Sequence, residues 1–144
     1  MSIQVREARP GDEPQIARLV RELAGPGDEA SPVTPEYVRG YLAFPGNHVL
    51  LAEDEGRVIG LLSYSVRPDL YHAGNSALIE ELVVHAPERG RGVGSALMNE
   101  LLRRLEASSC AEVSVSTMPD NVGAQRFYRA HGLRDEALFL EKHF

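Results

Sequence analysis

The sequence is poor in the residues on which disulfide, metal and nucleic-acid chemistry rely. One cysteine, Cys110, stands among 144 residues, so no internal disulfide can form and no thiolate cluster exists. It precedes an apolar alternating stretch and reads as a small buried hydrophobe rather than a nucleophile. The five histidines show no metal-ligand spacing, so no metal is expected. Lys142 is the only lysine, a bias of composition and not a functional signal. A formal charge of −6 denies the chain the basic face that general nucleic-acid binding needs. No apolar run is long enough to cross a bilayer, and no basic segment followed by an apolar one opens the chain. The expectation is a cytoplasmic protein that binds neither membrane nor nucleic acid.

The rest of the composition is ordinary: 43% hydrophobic and 25% charged residues, with no repeats and no low-complexity segment. One domain over residues 1–144 is expected, long enough to bury a core. Ile3 to Glu7 alternates like a half-buried strand. Pro10-Gly11-Asp12 reads as a turn, with Asp12 or a neighbour capping a helix whose apolar face is Ile16, Leu19, Val20 and Leu23. Residues 25–32 form an acidic loop, and a second helix spans Pro35 to Leu42. Two apolar runs, His48 to Glu53 and Val58 to Val66, joined by Asp54-Glu55-Gly56-Arg57, predict a hairpin. Arg67 to Asn75 reads as a polar connection. Glu112 to Thr117 alternates again, Asn121 caps a short helix, and Ala137 to His143 reads as a last strand.

The chain is organised around residues 77–107. An apolar strand carrying Glu80 and Glu81 leads into Arg89-Gly90-Arg91-Gly92-Val93-Gly94-Ser95. A helix follows, with Leu97, Met98, Leu101, Leu102 and Leu105 on one side. Strand, glycine turn and helix in that order make an anion cradle. Glycines let successive N–H groups turn to one point, and the helix start adds its free N–H groups and dipole. A pyrophosphate suits it. The spacing is neither G-x-G-x-x-G nor a Walker A loop.

The loop does match Arg-x-x-Gly-x-Gly through Arg89, Gly92 and Gly94. Downstream, Asn121, Ala124, Phe127, Tyr128 and Gly132 match Asn-x-x-Ala-x-x-Phe-Tyr-x-x-x-Gly-Phe, with Leu133 in place of the final aromatic. By these two blocks the sequence resembles the GNAT superfamily of acetyl-CoA-dependent N-acetyltransferases. The resemblance implies an α/β fold: a mixed, mostly antiparallel sheet splayed in the middle to admit acetyl-CoA, with helices on both faces. It further implies acetyl transfer to an amine of a small molecule or peptide by direct attack in a ternary complex. Acetylation of a protein N-terminus or lysine, and a non-catalytic acyl-CoA-sensing module, remain the alternatives.

Under that resemblance Leu82, Val83 and Val84 offer backbone groups to the pantetheine arm. The loop Arg89 to Ser95 takes the pyrophosphate, with Arg89, Arg91, Arg126 and Arg129 as nearby positive charge. Asn121 bonds to the pantetheine, and Phe127 and Tyr128 border the cofactor. Tyr128 is the candidate acid beside the sulfur. Glu80 is the candidate base, with Glu81 second, or water alone. Their apolar neighbours predict burial, which makes a carboxylate a better base near neutrality. Strand alternation predicts that the two point to opposite faces. Tyr37, Tyr41 and Phe44 line an acceptor pocket or pack into the core. The acidic pair slightly favours a cationic amine. With room for one clear strand after the second block, the acceptor site is expected to be open or completed by a second copy in a dimer whose terminal strands meet or exchange.

Overall fold

Alternating apolar residues and short turns build a five-stranded sheet in the order β1-β2-β3-β4-β5. The structure is a computed structural model that describes residues 2–144. The strands are β1 (Ile3–Glu7), β2 (Asn47–Asp54), β3 (Arg57–Asp69), β4 (Gly74–Val84) and β5 (Glu112–Val115). The first four pair antiparallel, and β5 joins β4 in parallel. The turn between β2 and β3 holds Glu55 at φ 50° and Gly56 at φ 78°, the left-handed pair that matches the twist of a tight hairpin. The next hairpin is longer than the sequence suggests. Most of the stretch read as a polar connection is strand, leaving only residues 70–73 as the turn. The Asp69 carboxylate closes that turn by accepting from the N–H groups of Tyr71 and His72 and from the Ser76 hydroxyl.

Helices cover both faces, as expected. On one face α1 (Glu13–Arg21) and α2 (Pro35–Ala43) bury Ile16, Leu19 and Val38 against Leu51, Leu61 and Val83. On the other, α3 (Val93–Ala107) lays Leu97, Met98 and Leu101 against Leu50, Leu62 and Ile79. A last helix, α4 (Val122–Ala130), brings Phe127 and Tyr128 to the edge of this second cluster. The approach of α3 depends on one missing side chain. A Cβ on Gly60 of β3 would lie 2.7 Å from Val93 Cγ1 and 3.2 Å from Leu97 Cδ1.

Three local expectations are corrected. Asp12 does not cap α1 with its side chain. Its carboxylate is held instead by the Arg6 guanidinium at 2.7 and 2.9 Å and by the Arg9 N–H. β5 stops at Val115 rather than Thr117. The tail carries no strand: residues 133–144 form no regular element, and Leu138, Leu140 and Phe144 are exposed. An apolar segment makes a strand only where an edge is there to pair with it.

Two irregularities in β4 shape the centre of the molecule. β5 pairs with it only from Ser76 to Ile79, so the edge from Glu80 to Val84 is open. On the opposite edge the register slips between Ser63 and Tyr64: Ser63 faces Glu81, Tyr64 faces Ile79, and Glu80 is the extra residue of a β-bulge.

Gly60→Ala is expected to cost about 1–3 kcal/mol by overpacking, and Leu101→Ala about 2–5 kcal/mol by leaving a cavity. Urea unfolding reads both, and an unchanged midpoint for Gly60→Ala would show that α3 does not need the bare backbone. Acid tests the Arg6 cluster. The Arg6 hydrogen bonds and the Arg9 N–H hold the Asp12 carboxyl below its usual range. The contribution to stability is therefore complete above the unfolded value of about 3.9 and disappears as pH falls through the lower folded value. Asp12→Asn should lower stability at pH 7 and flatten the acid limb of a stability-against-pH curve.

Candidate active site

The open edge of β4 is where the chain offers free backbone. Glu81 N–H donates to Ser63 Oγ at 3.0 Å and His85 N–H to Ile59 O at 2.8 Å, so both point toward β3. Peptide groups alternate along an extended strand, and those of Leu82 and Val84 consequently point to the opposite, unpaired edge. Arg89 Nε already reaches Val84 O at 3.3 Å. Val83 directs its side chain into the core under α1 and α2.

This edge runs into the glycine turn. Gly90 and Gly92 both adopt φ 82°, the left-handed region that costs a glycine little. Gly92 starts α3 with no side-chain cap, and no acidic residue lies in the first helical turn. Ala96 is the first residue to find a helical acceptor, Gly92 O at 3.0 Å. The N–H groups of Val93, Gly94 and Ser95 are thus left for another acceptor. α4 covers the same turn: a Cβ on Gly94 would meet the Phe127 ring at 3.4 Å. Uncapped donors, no repelling carboxylate and glycine at the close approach fit a pyrophosphate.

The four nearby arginines divide into two kinds. Arg91 is committed to Asp54, at 2.8 Å, and to Glu88, which also holds Arg57. Arg129 is committed to Asp135 at 2.8 Å through Nε and Nη2. Arg89 and Arg126 make no ion pair among the described residues and are exposed. Arg126, and the terminal nitrogens of Arg89 beyond its Nε contact with Val84 O, remain free to meet an anion. Arg91 instead braces the cradle against the β2–β3 turn.

Tyr128 sits half-buried with its ring edge-on to Phe127, centroids 5.3 Å apart. Burial raises its hydroxyl above the ordinary tyrosine value, so it stays protonated at neutral pH and able to donate. Asn121 caps α4, its Oδ1 accepting from Ala124 N–H at 3.1 Å. His85 meets Glu22 at 2.8 Å and His131 meets Phe127 O at 2.8 Å, which ties down helix and strand ends.

The bulge rearranges the two glutamates. Ile79, Leu82 and Val84 pack on the α3 side, while Val83 packs on the α1–α2 side. With one extra residue between Ile79 and Leu82, Glu80 and Glu81 both take the α1–α2 side, not opposite faces. Glu80 is exposed and not buried as expected, because the bulge turns it outward; Glu81 is half-buried. Tyr41 of α2 donates to Glu80 Oε2 at 3.1 Å, and Ser63 donates to Glu81 Oε1 at 2.5 Å. Burial first, then the neighbouring charges of Glu80 and Glu81, push the Tyr41 hydroxyl far above its ordinary value.

Each glutamate opens on its own cleft. Glu80 shares about 650 Å³ with Glu36, Tyr37, Tyr41 and Phe44. Glu81 shares about 410 Å³ with Leu23, Asp28, Glu29 and Ser31. Tyr37 and Phe44, open to either reading from sequence, line the cleft and are 68% and 65% exposed. Sequence reasoning missed the role of Ser63 and the acidity of the second cleft, since their partners lie far away in the chain. It also missed the meeting of Asp69, His72 and Glu112, whose ligand atoms lie within 4.8 Å of one another. That cluster is explained by the β3–β4 turn, which His72 and Asp69 close at 2.7 Å.

A family model described as "Acetyltransferase (GNAT) family" matches residues 16–133. L-2,4-diaminobutyric acid acetyltransferase of Nocardia farcinica is 31% identical over 87 residues, 60% of this chain and 43% of that protein, so the match spans less than half of that relative. Thialysine N-epsilon-acetyltransferase of Bos taurus is 27% identical over 145 residues, covering 92% of this chain and 85% of that one. An acetyltransferase of Trypanosoma brucei has the same fold, with a TM-score of 0.83 at 20% identity over 99% of this chain and 100% of that chain. No helix among the described residues is long and apolar enough to cross a membrane.

Gly92→Ala tests the cradle. A Cβ there meets nothing within 4 Å, so the change acts through φ alone, at about 1–2 kcal/mol. Isothermal titration should show CoA binding weakened at least tenfold. Unchanged affinity would mean that the start of α3 is not where the pyrophosphate sits.

Proposed function

Because this chain belongs to the GNAT family of acetyltransferases, we propose that it moves an acetyl group from acetyl-CoA to a primary amine of a small cationic molecule, by direct attack in a ternary complex. The observation that carries this reading is one continuous line of features. The open edge of Leu82 to Val84 leads to the uncapped start of α3, and the two bulge carboxylates open beside it. The two relatives compared above are named for amine acetylation, and L-2,4-diaminobutyric acid is a diamine by its name. Acetyl-CoA, when bound, supplies an acetyl group already activated as a thioester.

In this reading the residues divide the work. The N–H groups of Val93, Gly94 and Ser95 hold the pyrophosphate, with Arg89 and Arg126 adding charge from outside. Leu82 N–H, fixed by the strand before reaction, donates to the thioester oxygen as it gains negative charge. The acceptor enters as an ammonium and leaves as an amide, so its nitrogen gives up two protons. Glu80 takes one and returns it to solvent, with Glu81 able to do the same from the adjacent position. Tyr128 supplies a proton to the departing sulfur and is recharged by the second. A thiol of pKa about 8.5 is a fair leaving group, so the help it needs is modest.

Two further parts of the proposal concern setting. The enzyme works in the cytoplasm, where its unpaired Cys110 stays reduced. It forms a homodimer through its tail, whose Leu138 and Leu140 are 89% and 86% exposed in the single chain. Light scattering on a sizing column should return twice the monomer mass, and a lone monomer at all concentrations would remove the dimer from the proposal.

The direct test is release of free thiol from acetyl-CoA across amines, amino sugars and short peptides. Tyr128→Phe should lower kcat about tenfold or more, and Glu80→Gln about 10²-fold if Glu81 does not substitute. The double Glu80→Gln, Glu81→Gln variant separates those cases. Full activity in the double variant would assign deprotonation to water, and no thiol release with any amine would defeat the transferase reading.

A further inference from the structure

The two clefts gather five carboxylates and no cationic side chain. Several carboxylates elsewhere meet arginines: Asp12 and Glu53 with Arg6, Asp54 and Glu88 with Arg91, Glu100 with Arg103 and Arg104. In the clefts they do not. Glu36 and Glu80 line the first, and Asp28, Glu29 and Glu81 line the second. None of these forms an ion pair with a described residue. Their partners are neutral: the Tyr41 and Ser63 hydroxyls for Glu80 and Glu81, and the Gly25 N–H for Asp28. No arginine, lysine or histidine lines either cleft. Arg18 and Arg21 of α1 donate to the carbonyls of Val58 and Val33, and Arg39 of α2 is exposed and lines neither cleft.

Charge is not the only feature. Tyr37 and Phe44 hold large rings open to the first cleft, a surface that suits methylene chains and the face-on approach of an ammonium. The second cleft adds the exposed Leu23. The bulge sets the two spaces next to each other, because adjacent residues Glu80 and Glu81 each line one of them. A molecule with its reacting nitrogen at the bulge therefore has an acidic, partly apolar arm on either side.

We infer that both clefts serve one acceptor, a flexible polyamine without a carboxylate or phosphate, with its reacting amine at Glu80 and Glu81 and its remaining ammonium groups against Glu36 in one cleft and Asp28 and Glu29 in the other. This rests on the transferase reading above and names its substrate class. The exclusion of anions is as much a part of it as the attraction of cations. A carboxylate on the acceptor would enter clefts that already hold unpaired negative charge and offer it no side-chain cation. An α-amino acid acceptor is thus disfavoured even when its side chain bears the right amine.

Matched acceptors separate the parts of this inference. 1,4-Diaminobutane and spermidine carry two and three amines; n-butylamine is the same chain with one; ornithine is the diamine with a carboxylate. Thiol release should give kcat/KM at least tenfold higher for spermidine than for n-butylamine or ornithine. Glu36→Gln and Glu29→Gln should each raise KM for spermidine severalfold, with kcat and the n-butylamine rate unchanged. Equal rates with ornithine would overturn the exclusion of anions, and equal rates with n-butylamine would overturn the distal ammonium sites. A calorimetric titration of spermidine onto the CoA-saturated protein adds a readout that needs no turnover. Binding that Glu29→Gln and Glu36→Gln weaken, without thiol release, would keep the polyamine site and defeat the transferase reading. Absence of spermidine binding and turnover, with thiol release from another amine, would defeat the polyamine inference and keep the transferase.

Discussion

One extra residue in β4 governs the centre of this molecule. A strand that pairs regularly on both edges has no peptide group to lend and sends neighbouring side chains to opposite faces. The bulge at Glu80 breaks the second rule, and the early departure of β5 after Ile79 breaks the first. They occur at the same point along the strand. Free backbone therefore arises on one edge where two carboxylates have been gathered on one face. A bulge is tolerated because Ser63 satisfies both the N–H and the carboxylate of Glu81, so the irregular stretch carries its own polar partners.

The rest of the fold keeps that point in place. α1 and α2 close one face with apolar residues up to Val83 and then give way to polar space around Glu80 and Glu81. α3 closes the other face, and the bare Gly60 lets its first turn settle close to the sheet. Arg91 ties the turn before α3 to Asp54 and Glu88, fixing the loop through charges that are already matched. The loop is thus rigid by pairing and receptive by backbone, two properties that a cluster of unpaired arginines would not combine.

Much of this was legible in local pattern. Helix periodicity in 97–105, the hairpin at Asp54 to Arg57, the glycine turn and the Asn121 cap each depend on residues close in sequence, and each was found where expected. What escaped depends on partners far away. Two consecutive glutamates look the same in a regular strand and in a bulge. Only the pairing of Ser63 and Tyr64 with β4 shows which is present. The Tyr41 hydroxyl and Glu80 lie 39 positions apart. Arg89 and Arg91 are equivalent in the motif and differ only because Asp54 and Glu88 reach one of them. The tail carries a short apolar run, Ala137 to Leu140, and no edge within the described chain receives it.

α3 has two duties on one rod. Its first turn offers N–H groups to an anion, and its next three turns bury Leu97, Met98, Leu101 and Leu105 in the larger core cluster. Binding at one end and folding along the other are therefore the same equilibrium seen from two places. An anion that holds the first turn shifts the whole chain toward the folded state by mass action, in proportion to the logarithm of its concentration above its dissociation constant. A ligand held by that first turn would therefore protect residues far from it, because unfolding anywhere along α3 would first have to release it.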